Sequence, residues 1–193
     1  MSLVETQKDS AWENLTYEDL ENNVFVFGKN TGHELGVHQQ PVSEFTPLPN
    51  STFSAPILKV RAGDKCTWFI CEDGNLYHCG VNSALNTTTI TPTQQGLEAL
   101  QGYRVKDIEV GESHALILCT PNHDADRTVL FVCGNQRNYS CGLGTDSWFD
   151  LAPHPVVNDP TKFSTLSKIY SGYQSTALVT QDNKIYFAGK SKN

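Results

Sequence analysis

The sequence predicts an all-β fold, a β-propeller with about three blades and fragments of others, on three observations. Short apolar runs end in glycine four times, and these glycines follow one another at intervals of 52, 54 and 55 residues: Gly28, Gly80, Gly134 and Gly189. A second glycine series keeps the same phase, at Gly63, Gly111 and Gly172. Turn signals separate the apolar runs within each interval. A propeller repeats a four-stranded unit of about 40 to 50 residues, so this period predicts blades.

The turn signals predict β-hairpins. Residues 67–70 (TWFI) and 76–79 (LYHC) flank Asp73-Gly74, and glycine readily adopts the positive φ of a tight turn. The last unit repeats this pattern around Asp182-Asn183. The middle unit is six residues longer, and the extra residues fall in a predicted turn at 120–128. The connections that contain residues 89–93 and 151–155 are predicted to cross between blades, with proline on an edge or turn.

Composition and charge limit the function classes. The chain has 193 residues and 38% hydrophobic residues, which is enough for one ordinary folded domain. No run of 18 apolar residues and no secretory signal occurs, so we expect an intracellular protein, cytoplasmic or nuclear, without a membrane span. The net charge of −7 disfavours direct binding to nucleic acid.

Residues 1–23 are predicted to form a separate acidic segment before a propeller region at 24–193. They hold six acidic residues and one basic residue, and Ser10 with Glu13 forms a capping-box pattern for a short helix. Trp12 and Leu15 would share one face of that helix. Two interpretations stay open, a helix that packs on its own domain and a docking peptide that presents these two side chains to a partner.

The repeat region itself divides into units of about 24–56, 57–104, 105–165 and 166–193. None of its six cysteines forms a C-x-x-C pair, which disfavours zinc, and four of them lie in or beside apolar runs, so we expect buried, reduced thiols. His114 begins an apolar strand, and we interpret it as a packing residue. We predict no catalytic residue, no metal site and no cofactor, and hence no enzyme.

Several repeats together resemble those of the regulator of chromosome condensation family. Residues 111–115 (GESHA) resemble the start of that repeat and residues 73–82 (DGNLYHCGVN) its hairpin. Residues 27–36 (FGKNTGHELG) resemble its close, which residues 141–144 (CGLG) echo. Cys66 and Ser175 stand where the family has histidine. The resemblance covers about residues 24–193 and implies blades of a seven-bladed ring.

A partial ring implies a protein partner, or the remainder of a propeller, that completes it. We therefore predict a non-enzymatic protein-interaction or scaffold module within a larger protein or complex. The alternative implied by the resemblance is a guanine-nucleotide exchange factor for a Ran-like or Rab-like small GTPase. The candidate partner-binding residues are Trp12 and Leu15 in the N-terminal segment, and His123, Asp124, Asp126 and Arg127 in the long turn at 120–128, which is the candidate element for nucleotide exchange.

Overall fold

The computed structural model describes residues 24–135, 154–155 and 166–189. Within these ranges the chain forms thirteen β-strands and two short 3₁₀ turns, at Asn50–Thr52 and Glu98–Leu100. The strands form four antiparallel sheets. The all-β prediction is thus confirmed. Among the described residues, no helix is long and apolar enough to cross a membrane.

Each sheet corresponds to one repeat unit. Unit 1 contains β1 (Val24–Gly28) and β2 (Val42–Leu48). Unit 2 contains β3 (Ile57–Ala62), β4 (Cys66–Cys71), β5 (Leu76–Asn82) and β6 (Thr87–Thr93). Unit 3 contains β7 (Tyr103–Val110), β8 (His114–Pro121), β9 (Val129–Gly134) and β10 (His154–Pro155). Unit 4 contains β11 (Leu166–Ser171), β12 (Ser175–Thr180) and β13 (Ile185–Gly189).

Neighbouring units pack face to face and share their cores. Alternation along each strand gives every full blade two apolar faces, one for each neighbour. One cluster joins Val26 of unit 1 to Phe69 of unit 2. A second joins Trp68 of unit 2 to Ile117 of unit 3, and a third joins Leu116 of unit 3 to Ile169 of unit 4.

The predicted hairpin turns are confirmed. β4 and β5 pair in the register Ile70 to Leu76, and the connecting turn has Gly74 at φ 84°. The Asp73 carboxylate accepts a hydrogen bond from the backbone N–H of Asn75 at 3.0 Å, which closes the turn locally. The equivalent turn of unit 4 has Asn183 at φ 62°, a conformation that asparagine tolerates better than most residues.

Two connections differ from the sequence interpretation. Residues 89–93 belong to strand β6, the outermost strand of unit 2, rather than to a crossing segment. Pro92 is compatible with this position because an outermost strand needs no N–H donor on its free side. The long turn is also shorter than predicted. β8 continues to Pro121, so the loop spans residues 122–128.

The glycines at or near the ends of the third strands are required by the backbone. Gly80 has φ 91° and Gly134 has φ 100°, both in the region that side chains rarely adopt. A Cβ atom on Gly134 would also lie 2.7 Å from the Cα atom of His114 on the adjacent strand. Gly80, Gly134 and Gly189 therefore mark points where a third strand passes close to the backbone of its neighbour.

Candidate interaction surfaces

The loop at residues 122–128 projects from the most deeply buried hairpin of the described chain. Every residue of β8 and β9 is buried, whereas His123, Asp124, Asp126 and Arg127 are all exposed. The loop backbone is held by a hydrogen bond from Asp124 N–H to the Pro121 carbonyl at 3.1 Å. The four predicted contact residues thus lie together on one short, charged tip carried by a rigid sheet.

The predicted residues Trp12 and Leu15 lie outside the described residues. Their role in docking stays a prediction.

A second surface is formed by the ends of the three equivalent strands β3, β7 and β11. A cleft of about 560 Å³ opens there beside Gly63, Gly111 and Gly172. The residue after each glycine lines it, and these residues are Asp64, Glu112 and Tyr173. Sequence reasoning missed this trio, although its members share one position in the repeat.

Glu112 links units 3 and 4 at this cleft. Its carboxylate accepts a hydrogen bond from the Tyr173 hydroxyl and another from Gln174 Nε2 at 2.7 Å. Its backbone N–H donates to the Tyr173 carbonyl at 2.9 Å. The hydrogen bond to this carboxylate raises the pKa of Tyr173, because it favours the protonated phenol. Two of the three side chains at the cleft rim, those of Asp64 and Glu112, are acidic.

Ion pairs cross from unit 2 to unit 3 along the same strands. Lys59 Nζ lies 2.5 Å from Asp107 Oδ1, and Arg61 Nε lies 3.2 Å from Glu109 Oε1. Lys59 and Asp107 are equivalent in the repeat, because each lies four residues before a glycine, Gly63 or Gly111. Arg61 and Glu109 are also equivalent, because each lies two residues before the same glycine. The side chains are partly solvated, so each pair contributes about 0–1 kcal/mol and mainly fixes the relative register of the blades.

Comparison with known proteins supports the repeat assignment. No protein-family model matches the chain. The ultraviolet-B receptor UVR8 of Arabidopsis thaliana is 26% identical over 183 residues, which is 92% of this chain and 39% of that protein. The structure resembles human WBSCR16 with a TM-score of 0.69 at 20% identity, covering 86% of this chain and 42% of that one.

The fold is also that of yeast RCC1 (Prp20), crystallised bound to Kap60. The TM-score is 0.66 at 18% identity, covering 86% of this chain and 39% of that one. A further Prp20p structure from Saccharomyces cerevisiae gives a TM-score of 0.60 at 16% identity, covering 89% of this chain and 40% of that one. The chain has the regulator of chromosome condensation propeller fold. It spans about two fifths of the length of the proteins it matches.

His114, the histidine of the regulator of chromosome condensation repeat, has a structural position here. Its ring lies where a Cβ atom on Gly111 would be, and its Nε2 lies 3.1 Å from Ser171 Oγ of the next unit. Burial lowers the pKa of His114 to about 4, so the ring is neutral at physiological pH. Its interpretation as a packing residue is confirmed, with an added hydrogen bond between blades.

The cysteines are core residues as predicted. All five described cysteines are buried, and Cys141 lies outside the described residues. Burial raises the pKa of Cys66 to about 11 and the pKa values of Cys79 and Cys119 to about 12. Because the thiolate is the nucleophile, these thiols are unreactive at neutral pH.

Proposed function

We propose that this chain is a non-enzymatic protein-interaction module, a part of a larger propeller or complex, whose partner binds the loop at residues 122–128. The observation that carries this proposal is the contrast between the loop and its support. Four exposed side chains, a histidine, two aspartates and an arginine, stand on strands whose every residue is buried. Loops held on rigid scaffolds are where binding residues concentrate.

The equivalent turns of other units support a special role for this loop. Unit 2 connects its hairpin with residues 72–75, and unit 4 uses residues 181–184. Both are tight turns that serve chain reversal. Unit 3 uses seven residues for the same reversal, so its additional length is not needed by the fold.

The chemistry of the buried titratable groups agrees with a binding role. The thiols of Cys79 and Cys119 are protonated at neutral pH, and the His114 ring fills the blade interface. Their functional groups are used in packing, so they are not available to a partner, whereas the side chains of the loop at 122–128 are exposed.

The proposal is tested by affinity capture from a native extract, quantified by mass spectrometry. The bait variant carries Asp124→Ala, Asp126→Ala and Arg127→Ala. The matched control is Gln181→Ala, because Gln181 is an exposed residue at the equivalent turn of unit 4. We expect a specific partner to be lost with the loop variant and retained with the control. A partner set that is identical for both baits would refute a binding role for the loop.

The second candidate function is guanine-nucleotide exchange on a small Ran-like or Rab-like GTPase. Prp20p, which shares this fold, is described together with its binding to Gsp1p and histones. The charged loop is the element that would contact the nucleotide site of a GTPase. The test is release of fluorescent GDP from purified GTPases. Release that falls about tenfold with Asp124→Ala and Asp126→Ala would favour this function, since that is the effect of one or two lost charged contacts.

A further inference from the structure

A pocket of about 490 Å³ lies between units 2 and 3, at the end of the blades that carries the β4–β5 turn. It is lined by the start of β5, including Leu76, and by the start of β7, including Tyr103. The connection that joins β6 to β7, residues 94–102, contributes the rest of the lining. We call this space the unit 2–3 pocket. All of its lining residues belong to the continuous described range 24–135.

The connection from unit 1 to unit 2 is built in the same way as the connection from unit 2 to unit 3. Each contains one 3₁₀ turn, at Asn50–Thr52 and at Glu98–Leu100. The residue that follows the turn is Phe53 in the first connection and Gln101 in the second. Each of these two residues also lies ten positions before the glycine directly after the next strand. Phe53 and Gln101 are therefore equivalent in the repeat.

Phe53 packs into the interface between units 1 and 2. Its ring centroid lies 5.2 Å from that of Phe69 and 5.3 Å from that of Tyr77, two buried residues of unit 2. Aromatic pairs at these distances gain energy beyond the burial of apolar area. The first connection thus supplies an aromatic side chain that packs against the next blade.

The unit 2–3 pocket is the equivalent place in the next interface. Three apolar residues pack, together with Phe53, against the cluster of units 1 and 2: Val24, Ala55 and Ile57. Their equivalents, counted from the repeat glycines, all line the pocket: Leu76, Tyr103 and Val105. Gln101 lines the pocket too, but it is exposed and supplies no ring. The position that an aromatic side chain fills between units 1 and 2 is therefore part of an open pocket between units 2 and 3.

The inner surface of the pocket suits an aromatic ring. Four of its lining residues are buried members of the apolar cluster of units 2 and 3: Leu76, Leu97, Leu100 and Val105. The ring of Tyr103 packs edge to face on Phe131 at a centroid distance of 4.9 Å. Because Tyr103 lines the pocket, a ring that enters it would extend this pair into a group of three aromatic side chains.

The rim of the pocket carries groups that suit a polypeptide. Three exposed glutamines line it: Gln94, Gln95 and Gln101. A side-chain amide donates and accepts hydrogen bonds, as a peptide group does. Glu98, which is exposed, is the one charged residue among the lining residues of the pocket. Its carboxylate favours a lysine or arginine beside the aromatic residue of a partner.

We propose that the unit 2–3 pocket binds an aromatic side chain of a partner polypeptide, in which a basic residue is adjacent to the aromatic one. The ring takes the position that Phe53 has between units 1 and 2, and the glutamines of the rim bind the partner backbone. The inference goes beyond the proposed function, because the pocket and the loop at 122–128 are different surfaces. They are adjacent, since the Asn122 N–H donates to the carbonyl of Gly102 at 2.9 Å and Gly102 lies between two lining residues of the pocket. One partner can therefore contact both surfaces.

The probe is the peptide Gly-Lys-Phe-Lys-Gly, capped at both ends and titrated into the isotope-labelled full chain. We expect saturable NMR shift changes at the methyl groups of Leu76, Leu97 and Val105, which line the pocket. A peptide with alanine in place of phenylalanine should bind at least about tenfold more weakly, because the ring supplies most of the buried apolar area. Equal affinity of these two peptides, or unchanged shifts at these methyl groups, would overturn the proposal.

A third peptide tests the charge of the partner. With glutamate in place of both lysines, the peptide should bind about two- to fivefold more weakly, the effect of exposed charges beside Glu98. Equal or tighter binding of the glutamate peptide would overturn the basic residue in the proposal.

Two protein variants test the position of the ring. Gln101→Phe gives the second connection the residue of the first, so its own side chain should fill the pocket and weaken peptide binding by at least about tenfold. A Tm equal to that of the wild type, or higher by about 2–4 °C, would show that the variant is folded. Gln181→Phe is the matched control, because it makes the same substitution at an exposed position of unit 4, and it should change binding by less than about twofold. Equal binding by the two variants would contradict the proposed position.

Two further measurements separate a partner polypeptide from other occupants. N-acetylphenylalanine amide carries the ring without the neighbouring residues, so it should bind about two- to fivefold more weakly than the lysine peptide. Equal affinity would indicate a site for a free aromatic molecule and would overturn the polypeptide. Trp12→Ala should leave peptide affinity unchanged. Peptide binding that becomes about tenfold tighter in this variant would overturn the partner, because an aromatic residue of the same chain would then compete for the pocket.

Discussion

Substitution of the repeat glycines by alanine tests the equivalence of the units. Gly28 and Gly134 occupy the same repeat position and have similar φ values, 112° and 100°. A Cβ atom on Gly134 would lie 2.7 Å from the His114 Cα atom, which is backbone and unable to move aside. A Cβ atom on Gly28 would have no described atom within 4 Å, because unit 1 has no described strand on that side of β1.

The two substitutions should therefore differ in size although the residue change is identical. Gly28→Ala introduces only backbone strain, about 1 kcal/mol in the free energy of unfolding. Gly134→Ala adds a backbone collision and should cost about 3 kcal/mol or more. For a protein of this length these values correspond to losses in Tm of about 2–4 °C and about 6–12 °C.

The assay is thermal and urea unfolding of the wild-type protein and both variants, followed by circular dichroism. Gly102→Ala serves as a further control, because Gly102 has φ 85° and its Cβ atom would also meet no described atom within 4 Å. Equal destabilisation by all three substitutions would refute the close strand approach at Gly134 and, with it, the structural reason for the glycine period.

Three other predictions concern the blade faces and the buried titratable groups. Leu130→Ala should lower the free energy of unfolding by about 2–5 kcal/mol, whereas Ile185→Ala at the equivalent exposed position should change it by less than about 0.5 kcal/mol in urea titrations. Since burial lowers the pKa of His114 to about 4, the unfolded state binds the proton first, so stability should be complete above about pH 6.5 and fall between about pH 6.5 and pH 4. The free energy of unfolding should fall by at most about 3 kcal/mol over this range. In the His114→Gln variant the free energy of unfolding should no longer depend on pH in this range. A pH dependence equal to that of the wild type would exclude His114 as the cause. Cys79 and Cys119 should react with a thiol reagent only after unfolding, and fast labelling of the native protein would contradict their burial.

Local features of the fold were predictable from the sequence. The glycine period predicted the ends of β9 and β13 at Gly134 and Gly189, because a backbone with positive φ favours glycine at that one position. Asp73-Gly74 predicted its hairpin for the same reason. The burial of the cysteines followed from their apolar neighbours, and the exposure of His123 and Asp124 followed from their position in a long polar turn.

Features that depend on contacts between units were not predictable. The cleft beside Asp64, Glu112 and Tyr173 arises only when three units stack, so no local pattern marked it. The exposure of Ile185 and Phe187 was missed for a related reason. The apolar side chains of β13 follow the pattern of a buried strand. In the described part of the chain, however, no unit covers this face of unit 4.

The central claim is that the described strands form stacked blades in which unit 3 is enclosed between units 2 and 4, and in which no described strand lies beyond β13. Amide hydrogen exchange of the native protein tests this directly, because protection reports which backbone groups are paired and buried. The structure predicts the slowest exchange in β8 and β9 and fast exchange at Ile185, Phe187 and Gly189, with Tyr186 and Ala188 between them protected. Exchange in β8 and β9 as fast as in the exposed loop at 122–128 would contradict the enclosed position of unit 3.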